Sequence, residues 1–416
     1  MKKKILLLVA ALALVMLAAC GKNTPVQPTE PVPTEATEPT STPAPTATPE
    51  PTATSTPTPT PEPTATPTPE PLIALKDVFA EHGMKCGTCV TGQMLNTPKY
   101  KEMILSNFSS VTMENAMKPD AILDQQKSAA KNDDVVSFSA EAKKILDFAK
   151  ENNLGVRGHT LVWHSQTPEW LFREGYSKTG ELVGRDEMLR RMDTFFDQVF
   201  TFLKENGYSD IVYAYDVANE CWMEDGSMRE SLWRQTIGDD YIYEAFKTAK
   251  KYAPEHIDLY YNDYNEQFKT ETLVNFVESL KDADGNYLID GVGFQAHLYT
   301  SDDLVAYFDT VDKLSALGIK VSLTELDVCL GKYQGYLPNT DNNLKTQGRF
   351  YYDLINGIFS RVDAGTLNTN SLTFWGFADR LSWRSEAYPL LFNIVLMPKY
   401  SFYGAAQVKE QAGFEE

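Results

Sequence analysis

The chain has 416 residues and a formal net charge of −19 at pH 7, and the acidic excess is spread unevenly. Residues 1–71 contribute −2 from four lysines and six glutamates, so residues 72–416 carry −17. Such a surface argues against nucleic acid and anionic membrane as partners, because both repel an acidic protein. Residues 72–416 are numerous enough for one large domain, since α/β barrels often exceed about 250 residues as a single unit.

Residues 1–20 have the composition of an export signal. Lysines at positions 2–4 precede an apolar run over 5–17, which is too short to span a membrane comfortably. Leu17-Ala18-Ala19-Cys20 resembles the lipobox of bacterial lipoproteins, where the cysteine is lipidated and becomes the first mature residue. We therefore expect an extracellular protein whose membrane contact is a lipid on Cys20, anchored to the outer face of the bacterial cell membrane. The alternative is an ordinary cleaved signal that contains a cysteine.

Residues 21–71 are predicted to be a disordered, Pro/Thr-rich linker. Positions 22–71 hold 16 of the chain's 23 prolines, interleaved with threonine, serine, alanine and glutamate. Such a segment has little apolar surface to bury, and each proline removes a backbone donor. We expect an extended tether between the anchor and a catalytic domain over residues 72–416.

Short β-rich runs alternate with amphipathic helical patterns throughout 72–416, which predicts a parallel sheet wrapped by helices. Helical patterns include Ala140–Asn152 and Arg185–Glu205. No GxGxxG motif follows the first run, which disfavours a dinucleotide-binding fold. Eight units predict an α/β fold, a single closed (β/α)8 TIM barrel. The expected strands lie near Met84–Val90, Ser109–Met113, Gly155–Val162, Ile211–Val217, Ile257–Tyr261, Gly291–Ala296, Lys320–Thr324 and Ser371–Gly376.

Cys86 and Cys89 form a CxxC motif in the first expected strand. A redox or zinc site would need a second such pair or a helix N-terminus, and the sequence offers neither beside them. We therefore expect small core residues rather than redox chemistry, and the same for Cys221 and Cys329.

Polar and aromatic residues follow nearly every expected strand, where the active site of such a barrel is built. The clusters are Glu114–Lys118, His159–Gln166, Asn219-Glu220, Asn262–Asn265, Gln295–His297, Glu325–Asp327, and Trp375 with Asp379, Trp383 and Arg384. A purely structural barrel has no reason to collect acids and aromatic residues at so many strand ends. We expect a functional cleft there.

The cleft residues suit the cleavage of a glycosidic bond. That reaction needs one carboxylic acid to protonate the leaving oxygen and one carboxylate to attack or to activate water. Glu220 and Glu325 follow the fourth and seventh strands, on opposite sides of the mouth, and can flank a bond. A chain of hydrogen bonds from Asp327 through His297 to Glu325 would keep Glu325 ionised. The five histidines form no HExxH or His-x-His pair, so we expect no metal and no cofactor.

These motifs together resemble the family 10 glycoside hydrolases, the endo-1,4-β-xylanases. The matching segments, in order, are Ser110–Lys118, Gly158–Gln166, Asp216–Glu220, Gly293–His297, Thr324–Asp327 and Trp375–Asp379. The resemblance implies a retaining mechanism with Glu220 as acid/base and Glu325 as nucleophile, their carboxyl groups about 5–5.5 Å apart. Cys221, Ala378 and Leu381 depart from the usual residues, and these departures leave both glutamates intact.

The resemblance also implies a set of sugar-binding residues. Its lysine and tryptophans would crowd the place where the hydroxymethyl group of glucose would lie, which favours xylose. Asn219, beside His159, Gln295 and His297, would contact the sugar at the cleavage point. Glu114, Asn115, Lys118 and Gln166 would bind the next xylose, with Trp163, Trp375 and Trp383 shaping the same trough. Tyr264 and Arg384, also near strand ends, complete the expected set. The expected partners are xylan and xylo-oligosaccharides, bound by a monomer.

Two alternatives stay open at this point. A related barrel that cuts β-1,4-glucan or mixed-linkage chains also uses glutamates at the fourth and seventh strands, without the Glu114–Lys118 and His159–Gln166 segments. A surface lipoprotein that only captures oligosaccharides would be expected to lack one of the two carboxylates, and both are present.

Overall fold

A computed structural model describes residues 73–414, which fold around a closed barrel of eight parallel strands. Each strand pairs with its sequence neighbours, and β8 pairs with both β7 and β1, which closes the sheet. The register at the closure places Lys85 beside Ser371. The strands are β1 (Lys85–Val90), β2 (Ser110–Met113), β3 (Gly155–Trp163), β4 (Val212–Asn219), β5 (Asp258–Asp263), β6 (Gly291–Phe294), β7 (Lys320–Cys329) and β8 (Ser371–Phe374). This is the (β/α)8 TIM barrel that the strand pattern predicts.

Helices cover the outside of the barrel and bury one face each. The helix Arg185–Glu205, predicted from its amphipathic pattern, buries Met188, Met192 and Phe196 on a single stripe. The helices are α1 (Leu75–Glu81), α2 (Pro98–Asn107), α3 (Pro119–Ile122), α4 (Gln125–Lys131), α5 (Ala140–Glu151), α6 (Arg185–Glu205), α7 (Leu232–Ile237), α8 (Tyr241–Tyr252), α9 (Thr270–Ser279), α10 (Leu304–Ser315), α11 (Asp341–Asp363) and α12 (Tyr400–Ala405). In residues 73–414 no helix is long and apolar enough to cross a membrane.

The ends of five strands differ by two or more residues from those expected, and the differences at β6 and β7 lie where the cleft is built. β4 and β5 end two residues later than expected, at Asn219 and Asp263, and β8 ends two residues earlier, at Phe374. β6 stops at Phe294 because Ala296 adopts a left-handed conformation with φ 57°, and the chain resumes as a short strand at His297–Tyr299. That short strand pairs in parallel with the end of β7, placing His297 opposite Asp327. The extra partner extends β7 to Cys329, five residues past the expected end, so Glu325 lies within the strand.

The loop after β7 forms a tight hairpin. Its strands, Gly331–Lys332 and Gly335–Tyr336, pair antiparallel across a two-residue turn. Gly331 has φ 98°, and an added Cβ would lie 2.4 Å from the Gly335 carbonyl oxygen, so the position requires glycine. The hairpin is therefore a fixed element at the carboxyl edge of the barrel.

Cys86 and Cys89 lie buried on β1 and form no disulfide. Burial raises the pKa of each thiol well above its ordinary value and keeps it in the unreactive protonated form. Cys221 and Cys329 are also buried and unpaired. The predicted signal, the lipidation of Cys20 and the linker lie outside the described residues.

Candidate active site

A cavity of about 920 Å³ opens at the carboxyl edge of the barrel and contains most of the predicted site. Gln166 and Asp327 are the predicted members that do not line it, and their side chains contact Lys118 and His297, which do. The predicted residues in its wall are Glu114, Asn115, Lys118, His159, Trp163, Asn219, Glu220, Tyr264, Gln295, His297, Glu325, Trp375, Trp383 and Arg384.

Glu220 directly follows β4 and is held by both backbone and side-chain contacts. It has φ 55°, its backbone N–H donates to the Asn262 carbonyl (2.9 Å), and its own carbonyl accepts from Arg229 Nε (2.8 Å). Its two carboxyl oxygens accept from Trp163 Nε1 and Gln295 Nε2, each at 3.0 Å. The side chain is 15% exposed and faces the cavity, so it can meet both substrate and water.

Glu325 is more deeply buried, with two donors on its carboxylate. Asn262 Nδ2 donates to Oε1 (2.8 Å), and His297 Nε2 lies 3.3 Å from Oε2. Burial alone would raise the pKa of this group. The hydrogen bond from His297, the nearby histidine charges and the Asn262 donor outweigh burial and hold the pKa of Glu325 below its usual range. Glu325 is therefore ionised at neutral pH.

Next to Glu325 lies a row of mostly buried charged side chains, His297, Asp327 and Arg384. His297 Nδ1 lies 2.9 Å from Asp327 Oδ1, and Arg384 forms an ion pair with the same carboxylate. Burial opposes the imidazolium, yet the charge and hydrogen bond of Asp327 raise the pKa of His297 to about 9. Trp383 Nε1 donates to the other oxygen of Asp327 (3.1 Å). Asp327, His297 and Glu325 therefore contact one another in the expected order, through a hydrogen bond at His297 Nδ1 and an ion pair at its Nε2.

Lys118 lines another part of the cavity, where it is the centre of a polar network. Its Nζ donates to Asn115 Oδ1 (3.0 Å) and Gln166 Oε1 (2.9 Å), and it lies 4.8 Å from the centre of the Trp163 ring. Gln166 Nε2 in turn donates to Asn115 Oδ1 (3.2 Å). Burial raises the pKa of Glu114 at the same wall, and Lys118 partly opposes that effect. These contacts fix Lys118 in one place.

Sequence reasoning missed an ion pair inside the barrel. Asp216 on β4 pairs with Arg157 on β3, both 1% exposed, and Asp216 Oδ2 lies 2.9 Å from His159 Nδ1. Burial opposes the Asp216 carboxylate, but the charges and hydrogen bonds of Arg157 and His159 together outweigh burial and hold the pKa of Asp216 below its usual range. The pair therefore orients His159 toward the cavity. The available signal was a single charge in the middle of each of two apolar strands.

The second set that sequence reasoning missed lines the cavity from the loops after β4 to β7. Its members are Glu224, Gln267, Phe268, Tyr299, Asp302, Lys332 and Tyr333, and they lie beside Asn265 of the expected cluster after β5. Asn262 on β5 was grouped with a strand-end cluster but given no role, although its amide contacts Glu325. Within residues 73–414 no group of three or more histidine, cysteine, aspartate or glutamate residues could hold a metal ion.

The sequence of the barrel matches a known family over nearly all of its length. The family model described as Glycosyl hydrolase family 10 matches residues 74–408. This chain belongs to that family. Its expected glutamates at β4 and β7 lie within the matched residues and face one cavity.

Curated relatives of this family 10 chain are named as xylanases. The bifunctional endo-1,4-beta-xylanase XylA of Ruminococcus flavefaciens is 36% identical over 340 residues, covering 79% of this chain and 33% of that protein. Endo-1,4-beta-xylanase B of Paenibacillus barcinonensis is 32% identical and covered to 94% of its length. The chain spans about a third to a half of the length of other relatives, including 51% of endo-1,4-beta-xylanase B of Butyrivibrio fibrisolvens.

Solved structures give the same family 10 fold. The CBM22-1–GH10 modules of Clostridium thermocellum xylanase 10B, complexed with xylohexaose, superpose with a TM-score of 0.73 at 32% identity, covering 82% of this chain and 69% of that chain. Xylanase XynB of Paenibacillus barcinonensis, complexed with a conduramine derivative, gives a TM-score of 0.70 at 30% identity, with 82% and 100% covered.

Proposed function

We propose that this protein is an endo-1,4-β-xylanase that cleaves internal β-1,4-xylosidic bonds of xylan with retention of configuration. The observation that carries the proposal is the pair Glu220 and Glu325 in one cavity, with different surroundings. Glu325 is buried and held ionised by His297, whereas Glu220 is more exposed and bonded to two neutral donors. Two carboxyl groups whose environments differ in this way can divide the roles of nucleophile and acid.

In the first step, Glu325 attacks the anomeric carbon while Glu220 gives its proton to the leaving oxygen. A covalent glycosyl–Glu325 ester forms, and the leaving chain departs with the proton. Asn262 and His297 orient the attacking carboxylate through their contacts with its two oxygens. Trp163 and Gln295 orient the acid in the same manner.

In the second step, Glu220, now a carboxylate, takes a proton from a water molecule at the same position. The water oxygen attacks the anomeric carbon and Glu325 leaves as a carboxylate. Two inversions give net retention, and both glutamates return to their starting protonation states. The partial exposure of Glu220 supports this role, since the base must be reachable by water.

The Lys118 network supports xylose over glucose. Lys118 is hydrogen bonded to Asn115 and Gln166 and lies over Trp163, so it cannot easily make room for an added hydroxymethyl group. The proposed partners are therefore xylan and xylo-oligosaccharides, bound by a monomer.

Reducing-sugar release from xylan and from carboxymethylcellulose tests the substrate. We expect faster release from xylan, and faster release from carboxymethylcellulose would replace this proposal with a glucanase. If the purified chain binds xylan without releasing oligomers, it is a capture protein and not an enzyme. The product profile from xylohexaose then reports where the cleaved bond lies within the cleft.

A pair of variants tests the two roles. Glu325→Ala should abolish turnover on every substrate, because no nucleophile remains. Glu220→Ala should retain far more activity on aryl xylosides with good leaving groups than on xylan, because such leaving groups need little protonation. Equal losses on both substrates would contradict the role of Glu220.

The anchor is a separate proposal, supported by the lipobox-like sequence at Leu17–Cys20. A lipid on Cys20 would hold the protein at the outer face of the cell membrane. Cys20→Ser should move activity from the cell envelope to the medium. Unchanged fractionation would refute the anchor and leave the enzyme proposal intact.

A further inference from the structure

Beside the two catalytic glutamates and the residues that hold them, the cavity lining has two halves. The loops after β2, β3 and β8 carry the residues expected to bind the sugar that becomes attached to Glu325. The loops after β4 to β7 line the other half, where the leaving part of the chain would lie. Of the residues in this second half, only Tyr264 has an expected role so far, in sugar binding.

Its surface carries exposed aromatic rings, as a sugar-binding wall does. Phe268 and Tyr333 line the cavity with 66% and 71% of their surface exposed, which leaves wide aromatic faces open to a ligand. The Tyr299 ring lies beneath the hairpin, edge-to-face with Tyr333 at 6.3 Å. Flat aromatic faces beside polar groups suit pyranose rings, which present C–H groups on their faces.

The hairpin holds Lys332 at this wall. Gly331 N–H donates to Thr300 Oγ1 (2.9 Å), and the Gly331 carbonyl accepts from the Ser301 N–H (3.2 Å). Tyr336 stacks against Tyr299 with ring centres 6.4 Å apart. The backbone that carries Lys332 is therefore fixed to the loop after β6, and the lysine lines the cavity.

Lys332 differs from the other lysine and arginine in the cavity wall. Lys118 is hydrogen bonded, and Arg384 is paired with Asp327, whereas the side chain of Lys332 has no ion pair or hydrogen bond with any residue in 73–414. Two acids of the same half already have partners. Glu224 accepts from Asn265 Nδ2 (3.0 Å), and Asp302 accepts from the Tyr299 N–H (2.8 Å).

We infer that Lys332 binds the carboxylate of a uronic acid side group on the leaving part of the xylan chain. An exposed ammonium pairs readily with a carboxylate, and the exposed rings of Phe268 and Tyr333 in the same half can take the neighbouring sugars. The inference rests on the proposed function and adds a substrate class to it, xylan substituted with uronic acid. Binding involves no covalent step, so the chemistry at Glu220 and Glu325 is unchanged.

The test compares kcat/KM on glucuronic acid-substituted xylo-oligosaccharides with kcat/KM on unsubstituted xylohexaose. Lys332→Met should lower the ratio of the two values about threefold, as expected for a single partly exposed charge pair. Lys332→Arg should keep the ratio because it keeps the charge. Lys178→Met removes an exposed lysine that does not line the cavity and should leave the ratio unchanged. Added salt should lower the ratio for the unmodified protein and not for Lys332→Met.

The outcomes separate the two proposals. Normal turnover of xylohexaose with the same ratio in Lys332→Met and the unmodified protein would refute the uronate site and leave the xylanase proposal standing. A fall of the ratio in Lys178→Met as large as in Lys332→Met would also refute it, because the effect would then be one of general charge. No turnover of xylohexaose by the unmodified protein would overturn the xylanase proposal and the uronate site with it.

Discussion

Replacing Asp327 by asparagine should return the proton affinity of His297 to an ordinary value. In the unmodified protein Asp327 contacts His297 Nδ1 at 2.9 Å and, with a smaller contribution from Glu325, raises the pKa of this imidazole from 6.5 to about 9 against the effect of burial. This rise corresponds to about 3 kcal/mol of preference for the charged ring. The side chain of His297 is 14% exposed, so solvent screens the pair only weakly.

The Asp327→Asn variant loses that preference for two reasons. The negative charge disappears, and Arg384, which is paired with Asp327, is left unneutralised near the ring. Burial then dominates and should lower the pKa of His297 to 6.5 or below. Glu325 would lose a charged donor near neutral pH, so its pKa should rise and turnover should fall.

The effect on stability has a defined sign. A histidine whose pKa is raised on folding contributes stability in full below about pH 6.5 and loses it as the pH rises through 9. Between these pH values the unmodified protein should lose up to about 3 kcal/mol from this group, and Asp327→Asn should lose little. Urea unfolding of both proteins at pH 6.5 and pH 9 measures how much free energy of unfolding each loses between these values. Other groups that titrate equally in the two proteins cancel when the two losses are compared.

Nuclear magnetic resonance of histidine-labelled protein gives the pKa directly, with His297→Gln to assign the signal among five histidines. Asp379→Asn is the matched control. It also removes a buried carboxylate, which is paired with Lys399 at 3.0 Å, but Asp379 does not line the active-site cavity. It should leave the pKa of His297 near 9. An imidazole that still titrates near 9 in Asp327→Asn would refute the reasoning.

Three further changes have definite expected results. Asn262→Ala removes the hydrogen bond that Asn262 donates to Glu325 at 2.8 Å. Loss of a hydrogen bond to a charged group should lower kcat on an aryl xyloside about 10- to 100-fold. An unchanged kcat would contradict the role of Asn262 in orienting Glu325. Asp216→Asn leaves the buried Arg157 without a counter-charge and should lower the free energy of unfolding by about 3 kcal/mol, measured by urea unfolding. A loss near zero would show that the ion pair is dispensable for stability. Gly331→Ala forces a side chain into the left-handed hairpin position and should cost about 1–3 kcal/mol, visible as a lower Tm, whereas an unchanged Tm would mean that the hairpin relaxes freely.

The barrel could be predicted from the sequence because strand and helix periodicity is a local property. Strand ends were harder to predict where tertiary pairing sets them. β7 extends to Cys329 because the segment at His297 pairs with it, and that pairing exists because Ala296 turns the chain. None of this has a local sequence signal.

The site was predictable where its residues follow strands directly, as Glu220 follows β4. Arg157 and Asp216 were missed because each is an isolated charge until β3 and β4 lie side by side and neutralise them. Lys332 was missed for a different reason. Its place in the cavity depends on a hairpin packed against another loop, which the order of residues does not specify.

The three-residue segment Gln295-Ala296-His297 touches both catalytic glutamates, Gln295 through Glu220 and His297 through Glu325. The positions of the acid Glu220 and the nucleophile Glu325 are therefore coupled through this segment. Changes at Gln295 and His297 should show a coupling energy in a double-mutant cycle, since a backbone shift at Ala296 moves both contacts. Directed evolution of the pH profile would do better to vary the two positions jointly than to tune either carboxyl group by itself.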